Sequence, residues 1–149
     1  MKTFWALGMS CLILLSACAS APAASADKDK EAKQFVTADG TANLYVARKS
    51  EMFGSIIAFK LLVDDKEKGS LSPATYQLFV LPPGQHKIEV STGLKSARLT
   101  VDVAAGKNYF LSTGATAGDA IIQPELGVVL FEEMGKLMVS QFPRAPIQE

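Results

Sequence analysis

Two neighbouring stretches restrict the fold more tightly than anything else in this chain. In "HKIEVS" (86–91) Ile88 and Val90 share one parity, Lys87 and Glu89 the other. In "ARLTVDV" (97–103) Leu99, Val101 and Val103 alternate with Arg98, Thr100 and Asp102. A period of two marks a strand with one face on a core and one in water. The same period runs through "NLYVAR" (43–48), where Leu44 and Val46 alternate with Tyr45 and Ala47, and through "NYFLS" (108–112), where Tyr109 and Leu111 share a face. "ATYQLFV" (74–80) is rich in strand formers. "SIIAFKLLV" (55–63) is apolar on both parities apart from Ser55 and Lys60. It predicts a central strand with Ile57, Phe59, Leu61 and Val63 facing the core.

The breaks between these runs are turn-like. "DDKEKGS" (64–70) predicts a turn between strands, and "AAGK" (104–107) another. "LPPGQH" (81–86) ends a strand, because proline fixes φ and lacks an amide donor, while Gly84 suits the positive-φ position of a type II turn. His86 then shares the parity of Ile88 and Val90, so its imidazole is expected to cap the core and bond a nearby backbone group. A Gly-rich loop (113–119) leads to "AIIQ" (120–123) and a last strand near Leu126 to Phe131. "EEMGKLMVSQF" (132–142) predicts a short amphipathic helix: Met134, Leu137 and Met138 share a face, and Glu132 precedes Lys136 by four. That helix either packs on one end of the domain or docks a partner, since Met-rich faces adapt well. Short strands with frequent turns predict an all-β protein, an antiparallel β-sandwich of about seven strands with a C-terminal helix. A small open barrel is the alternative.

The amino terminus has a different character. Lys2 precedes an apolar stretch from Phe4 to Leu15, shorter than the roughly 20 residues that span a bilayer. "LLSACAS" (14–20) closes it, and Leu15-Ser16-Ala17-Cys18 resembles the lipobox of bacterial lipoproteins. The resemblance implies a diacylglycerol on the Cys18 sulfur, cleavage between Ala17 and Cys18, and acylation of the new amino group. An ordinary signal peptide cut at an Ala-x-Ala site nearby is the alternative. The chain has two cysteines, and Cys11 lies in the leader. Cys18 is therefore the only cysteine of the mature chain, which excludes an intrachain disulfide. The domain boundaries expected are a leader over 1–17, a lipidated and flexible tether over 18–36, a sandwich with its helix over 37–142, and a polar tail over 143–149. "DKDKEAKQ" (27–34) reads as solvated linker or a short frayed helix. Lys+Arg and Asp+Glu are both 15, so no basic excess points to nucleic acid. The acyl chains would be the membrane anchor. Ala19 and Ser20, rather than aspartate, follow Cys18, which favours the periplasmic face of an outer membrane where the cell has one.

Three further stretches carry a second resemblance: "VDDKEKGSL" (63–71), "TYQLFVLPPGQHKIEV" (75–90) and "AGKNYFL" (105–111). Together they resemble a domain-of-unknown-function family of small bacterial lipoproteins. Its members pair a tight acidic hairpin with a strand ending in LPPG-x-H and a following GK-x-Y-Y strand. The likeness runs from about Ala42 to Leu137 and implies a prealbumin-like or Ig-like sandwich, with no activity attached. Asp65-Lys66 stands where many members have Asp-Gly, and Tyr109-Phe110 where many have Tyr-Tyr.

Chemistry is sparse. His86 is the only histidine. A hydrolytic triad would need it, yet no nucleophile elbow accompanies it. "STGATAG" (112–118) lacks the lysine of a phosphate loop. Asp64-Asp65 and Glu132-Glu133 are adjacent pairs whose side chains diverge in a turn or strand, so they chelate poorly. The glutamates suit a helix start. Tyr45, Phe53, Phe59, Tyr76, Phe79, Tyr109 and Phe110 either fill the sandwich or line a ligand pocket. Phe79 and Phe110 fall on the parity opposite to the expected core face. With Met134 and Met138 they form a candidate interaction surface, or the terminal helix covers them. No catalytic residue, metal or cofactor is expected. The function expected is a non-enzymatic, lipid-anchored envelope module, with the membrane reached through Cys18 and a protein or glycan partner. A carrier of a small ligand or lipid, with an apolar cavity between the sheets or under the helix, is the alternative.

Overall fold

A computed structural model of the chain describes residues 26–52, 54–117 and 121–146. The elements are α1 (Ala26–Ala32), β1 (Ala42–Arg48), β2 (Phe59–Val63), β3 (Lys66–Leu71), β4 (Thr75–Leu81), β5 (Gly84–Ser91), β6 (Ser96–Val103), β7 (Asn108–Ala117), β8 (Ile122–Val128) and α2 (Glu132–Ser140). The strands form two four-stranded sheets, ordered β4-β1-β7-β8 and β3-β2-β5-β6. The all-β sandwich expected from the alternation is present. One pair departs from the antiparallel rule, because β1 and β7 run parallel, Leu44 beside Tyr109 and Val46 beside Leu111.

The core between the sheets is built from the predicted parities. Ile88 and Val90 of β5, Val101 and Val103 of β6, and Phe59, Leu61 and Val63 of β2 meet Leu44, Val46 and Leu111 of the other sheet. On the outer face of β5, Glu89 takes a two-pronged ion pair from Arg98, Nε to Oε2 at 2.7 Å and Nη2 to Oε1 at 3.0 Å.

The strand buried on both faces is β1, not the 55–63 run. β2 begins only at Phe59; residues 54–56 form a turn, and Ile57 is half-buried ahead of the strand. Every residue of β1 is buried. Its second face carries Tyr45 and Ala47, which join Tyr76, Phe110, Ala32 and Val139 in a separate apolar cluster under the two helices. The molecule is thus sheet on sheet, with helices on the back of one sheet. Tyr45 and Phe110 stack with ring centres 5.1 Å apart, and Phe35 packs edge-on to Phe110 at 6.0 Å.

Two stretches expected as loops are strands. Asp64 and Asp65 make a two-residue hairpin with φ of 52° and 62°, so the chain re-enters β3 at Lys66. Aspartate tolerates this left-handed region better than most residues, and such primed turns match strand twist. The Gly-rich segment up to Ala117 is the second half of β7, paired with β8 through Thr113–Leu126 and Ala115–Pro124. Gly114 belongs there because the Glu51 carboxylate lies where a side chain would be.

Both ends of the expected domain also shift. Within the expected 18–36 tether, Ala26–Ala32 is helical and docked. The Asp29 carboxylate accepts from the Tyr76 hydroxyl (2.8 Å), the Arg144 amide (3.0 Å) and Lys33 Nζ (2.8 Å). Tyr45 donates to the Ala32 carbonyl at 2.7 Å. Burial pushes the Tyr45 phenol up to about 12 and raises that of Tyr76, so both donate at physiological pH. The expected polar tail begins with residues that pair with β4: the Tyr76 amide donates to Pro143, the Ala145 amide to Tyr76. Isolated polar residues gave no hint of these long-range partners.

Candidate functional site

The motifs that carry the family resemblance converge at one corner. Pro82 and Pro83 carry the chain from β4 in one sheet to β5 in the other, and Gly84 opens β5 with φ of 132°. His86 follows, buried and facing inward. Its Nε2 lies 2.9 Å from the Pro82 carbonyl and its Nδ1 2.8 Å from Asp64 Oδ2 in the β2–β3 hairpin. The Lys87 amide donates to the other Asp64 oxygen at 3.0 Å. The predicted backbone bond of His86 is present; the carboxylate on its far side is the addition.

Both partners of the ring are acceptors, so the imidazolium form satisfies both contacts at once, each nitrogen donating. The hydrogen bond from Asp64 raises the His86 pKa; burial opposes it and the Pro82 carbonyl reinforces it. Asp64 is held below the usual carboxylate range, first by His86 and then by the Lys87 amide. This dyad has the outline of a general-base pair, but both ring nitrogens are already engaged. The nitrogen that would take a proton already faces a carbonyl. In "AGKNYFL" the tyrosine has a similar duty: the Tyr109 hydroxyl accepts from the Ala104 amide at 2.9 Å and closes the turn between β6 and β7.

At the opposite end stands a residue the sequence reading passed over. Arg48 ends β1 and is 2% exposed. Its Nη1 donates to the carbonyls of Ile57 and Leu71 (2.9 Å for the latter), and its Nη2 to that of Gly54 (2.8 Å). Its guanidinium lies 3.6 Å over the Phe59 ring. Burial lowers its pKa and nearby Glu51 raises it, with burial the larger. The Glu51 carboxylate in turn accepts from the Ala115 amide. Arg48 and Glu51 thereby pin the β1–β2 loop to the sandwich. A signal existed: Arg48 continues the inward parity of Leu44 and Val46.

The candidate surface residues do not form one face. Phe79 pairs with Leu44 and packs against the core between the sheets. Phe110, one residue from core-facing Leu111, points to the other side of the same sheet and is 2% exposed beneath α2. Of the two arrangements expected for Phe110, cover by the terminal helix is the one present. Gly135 makes the cover possible, because a Cβ there would overlap the Phe110 ring. Met138 packs partly on this cluster, while Met134 and Leu137 face outward and are exposed, beside exposed Leu130 and Phe131. Glu132 pairs with Lys136 at 3.0 Å, as the spacing predicts. Ala17 and Cys18, and Phe53 among the aromatics, lie outside the described residues.

Two hollows border this region. A polar groove of about 480 Å³ crosses the back of the sheet over Ser112, Gly114, Glu125 and Gly127. A cleft of about 300 Å³ opens between the sheets, lined by Val101, Tyr109, Phe110, Leu111 and Leu130, without Phe79. Among the described residues no three His, Cys, Asp or Glu side chains gather to hold a metal, and no helix is long and apolar enough to cross a membrane.

The family model described as "Protein of unknown function (DUF2846)" matches residues 38–125, from the turn before β1 to the middle of β8. A protein of Haemophilus influenzae (strain ATCC 51907 / DSM 11121 / KW20 / Rd), named "Uncharacterized protein", is 33% identical over 134 residues, which is 89% of this chain and 79% of that protein. The segment that the family model matches spans the Asp64–His86 corner, Arg48 and the Tyr109 turn. The chain belongs to the DUF2846 family of proteins of unknown function.

Proposed function

We propose that this protein is a lipid-anchored module of the bacterial envelope that works without catalysis, holding a protein partner beside the membrane. One observation carries the partner: α2 is fixed on the sheet by Gly135 and Val139, yet turns Met134 and Leu137 outward, next to Leu130 and Phe131. A helix with a rigid base and an exposed apolar stripe fits an apolar groove on a second protein. The anchor reading is supported by the lipobox-like Leu15-Ser16-Ala17-Cys18, and Ala19 and Ser20 after it favour the periplasmic face of an outer membrane where the cell has one. The absence of catalysis is supported by where the titratable groups are used: His86, Asp64, Glu89 and Asp29 all face structural partners.

The test is photo-crosslinking in cells from positions 134 and 137, with Asp102 on the other sheet as control. An adduct of one defined mass from the helix, lost when Phe131 is replaced by Glu, supports the reading. No adduct, or the same adduct from Asp102, removes it. Cys18→Ala should abolish both acyl labelling and membrane association; retention of either overturns the anchor. A second reading, a small-ligand carrier, is favoured by the cleft at Val101 and Leu130. Its mark would be a retained small molecule in native mass spectra of the purified protein, lost in Leu130→Asp.

A further inference from the structure

We infer that the end of the sandwich from which α1 starts is a membrane-contacting tip, with Met52, Ile56, Leu94 and Ile121 entering the interfacial layer of the bilayer. The inference rests on the lipid-anchor reading and adds an orientation to it.

The topology gathers these residues. β1 and β7 run the same way, and the antiparallel pairings bring β3 and β5 to finish at the same end. The segments 49–52, 54–58 and 92–95 and Ile121 therefore lie together beyond Arg48. Leu94 and Ile121 line one apolar hollow of about 230 Å³ with Ile57 and Ile122. Ile56 is 94% exposed, Met52 91% and Leu94 80%. In the β1–β2 loop the Gly54 and Ile57 carbonyls turn to Arg48 and the Glu51 carboxylate to the Ala115 amide, while Met52 and Ile56 turn out. A buried arginine that fixes such a loop holds the apolar tips ready, so little ordering cost remains on insertion. Lys49 and Lys95 lie exposed on the same loops and suit anionic headgroups.

The tether selects the occupant. α1 descends from this end: Asp29 meets Tyr76, Ala32 meets Tyr45, and the Phe35 carbonyl meets Asn108 at the start of β7. Ala26 thus sits at the loop end, eight residue steps from Cys18. Fully extended, that span reaches about 28 Å at most. The opposite end, with Leu130 and Phe131, lies about a strand length of 20 Å farther away. Putting that end on the bilayer would draw the tether nearly to its full length, whereas the loop end meets it with slack.

The sequence provides a probe. Its one tryptophan is Trp5, in the leader, so Leu94→Trp would place the sole indole of the mature chain at the tip. The acylated full-length variant is reconstituted into vesicles of phosphatidylethanolamine and phosphatidylglycerol, with and without dibrominated acyl chains. Ile56→Trp is the second tip variant and Leu130→Trp the control at the far end. At the depth of about 5–10 Å reached by interfacial apolar groups, tip emission should shift to the blue and fall by roughly half over the brominated lipid, while the Leu130→Trp signal stays unchanged. Water-like, unquenched emission from both tip variants, in protein whose mass and flotation show it acylated and vesicle-bound, overturns the tip and leaves the anchor standing. Equal quenching at position 130 overturns the orientation. A mature protein without acyl mass on Cys18 removes the anchor and this inference with it.

Discussion

At the scale of the residue, His86 is where pH acts on this fold. Its folded pKa is raised, mainly by the hydrogen bond to Asp64, so its contribution is complete below the unfolded value near 6.5 and fades as pH rises through the raised one. Asp64 is lowered from 3.8, so its share is complete above that value and is lost as pH falls through the lower one. The clamp is therefore at full strength from about pH 4 to 6.5. His86→Leu should cost about 1–2 kcal/mol near pH 5.5, kept modest by the half-exposed Asp64 carboxylate, and clearly less near pH 8.5. Urea midpoints of both proteins at the two pH values check this, and a pH-independent difference would remove the charged clamp. The inward parity of His86 was readable from "HKIEVS". Its carboxylate partner was not, because Asp64 lies 22 residues back in the other hairpin of the same sheet. Arg48 shows the reverse case: its parity was visible, but buried arginine is so rare that a strand-end charge reads as solvent-facing.

At the scale of the element, α2 shows how an apparent flaw in a helix can be its reason for docking. Glycine inside a helix costs about 1 kcal/mol relative to alanine, so Gly135 weakens the sequence-based prediction of a helix. In the fold it lets the helix backbone close on the Phe110 ring. The ordinary gain of Gly→Ala should therefore invert: Gly135→Ala is expected to destabilise by about 1–3 kcal/mol through overpacking. Phe110→Leu should be costly alone, yet the pair Gly135→Ala/Phe110→Leu should cost less than the sum of the two single changes. Chemical denaturation of the four proteins measures the coupling, and strict additivity would show that the helix does not rest on Phe110. β5 and β6 were legible because each has one wet face. β1 was read as half-buried because Tyr45 and Ala47 are ambiguous until the helices that cover them are in place. The second half of β7 was hidden because small residues and Gly114 resemble a loop, and only pairing with β8 and the Glu51 carboxylate distinguishes them.

At the scale of the whole molecule, α1 and the Arg144 segment tie the chain ahead of β1 to the sandwich. Asp29 joins them: its carboxylate binds Lys33 of its own helix, Tyr76 of β4 and the amide of Arg144. Burial works to raise its pKa, but those three partners outweigh it and hold it below the usual carboxylate range. Under the proposed anchor at Cys18, the span from the attachment point to docked α1 is eight residue steps; release of α1 would extend it toward Thr41 and roughly triple it. Asp29→Ala removes the shared acceptor and leaves the Tyr76 hydroxyl and the Arg144 amide seeking water. Losing these bonds should cost about 1–2 kcal/mol, felt first as local opening of α1 rather than global unfolding. An opening shift of that size raises the undocked population on the order of tenfold. Limited trypsin digestion reads it directly, because Lys28, Lys30 and Lys33 lie on the released segment. Cleavage there should accelerate on the order of tenfold in Asp29→Ala, with the urea midpoint of the sandwich nearly unchanged. Equal cleavage rates in the two proteins would mean that α1 is free in solution. Under the proposed anchor, the span from Cys18 would then be long enough to lift the loop end clear of the bilayer.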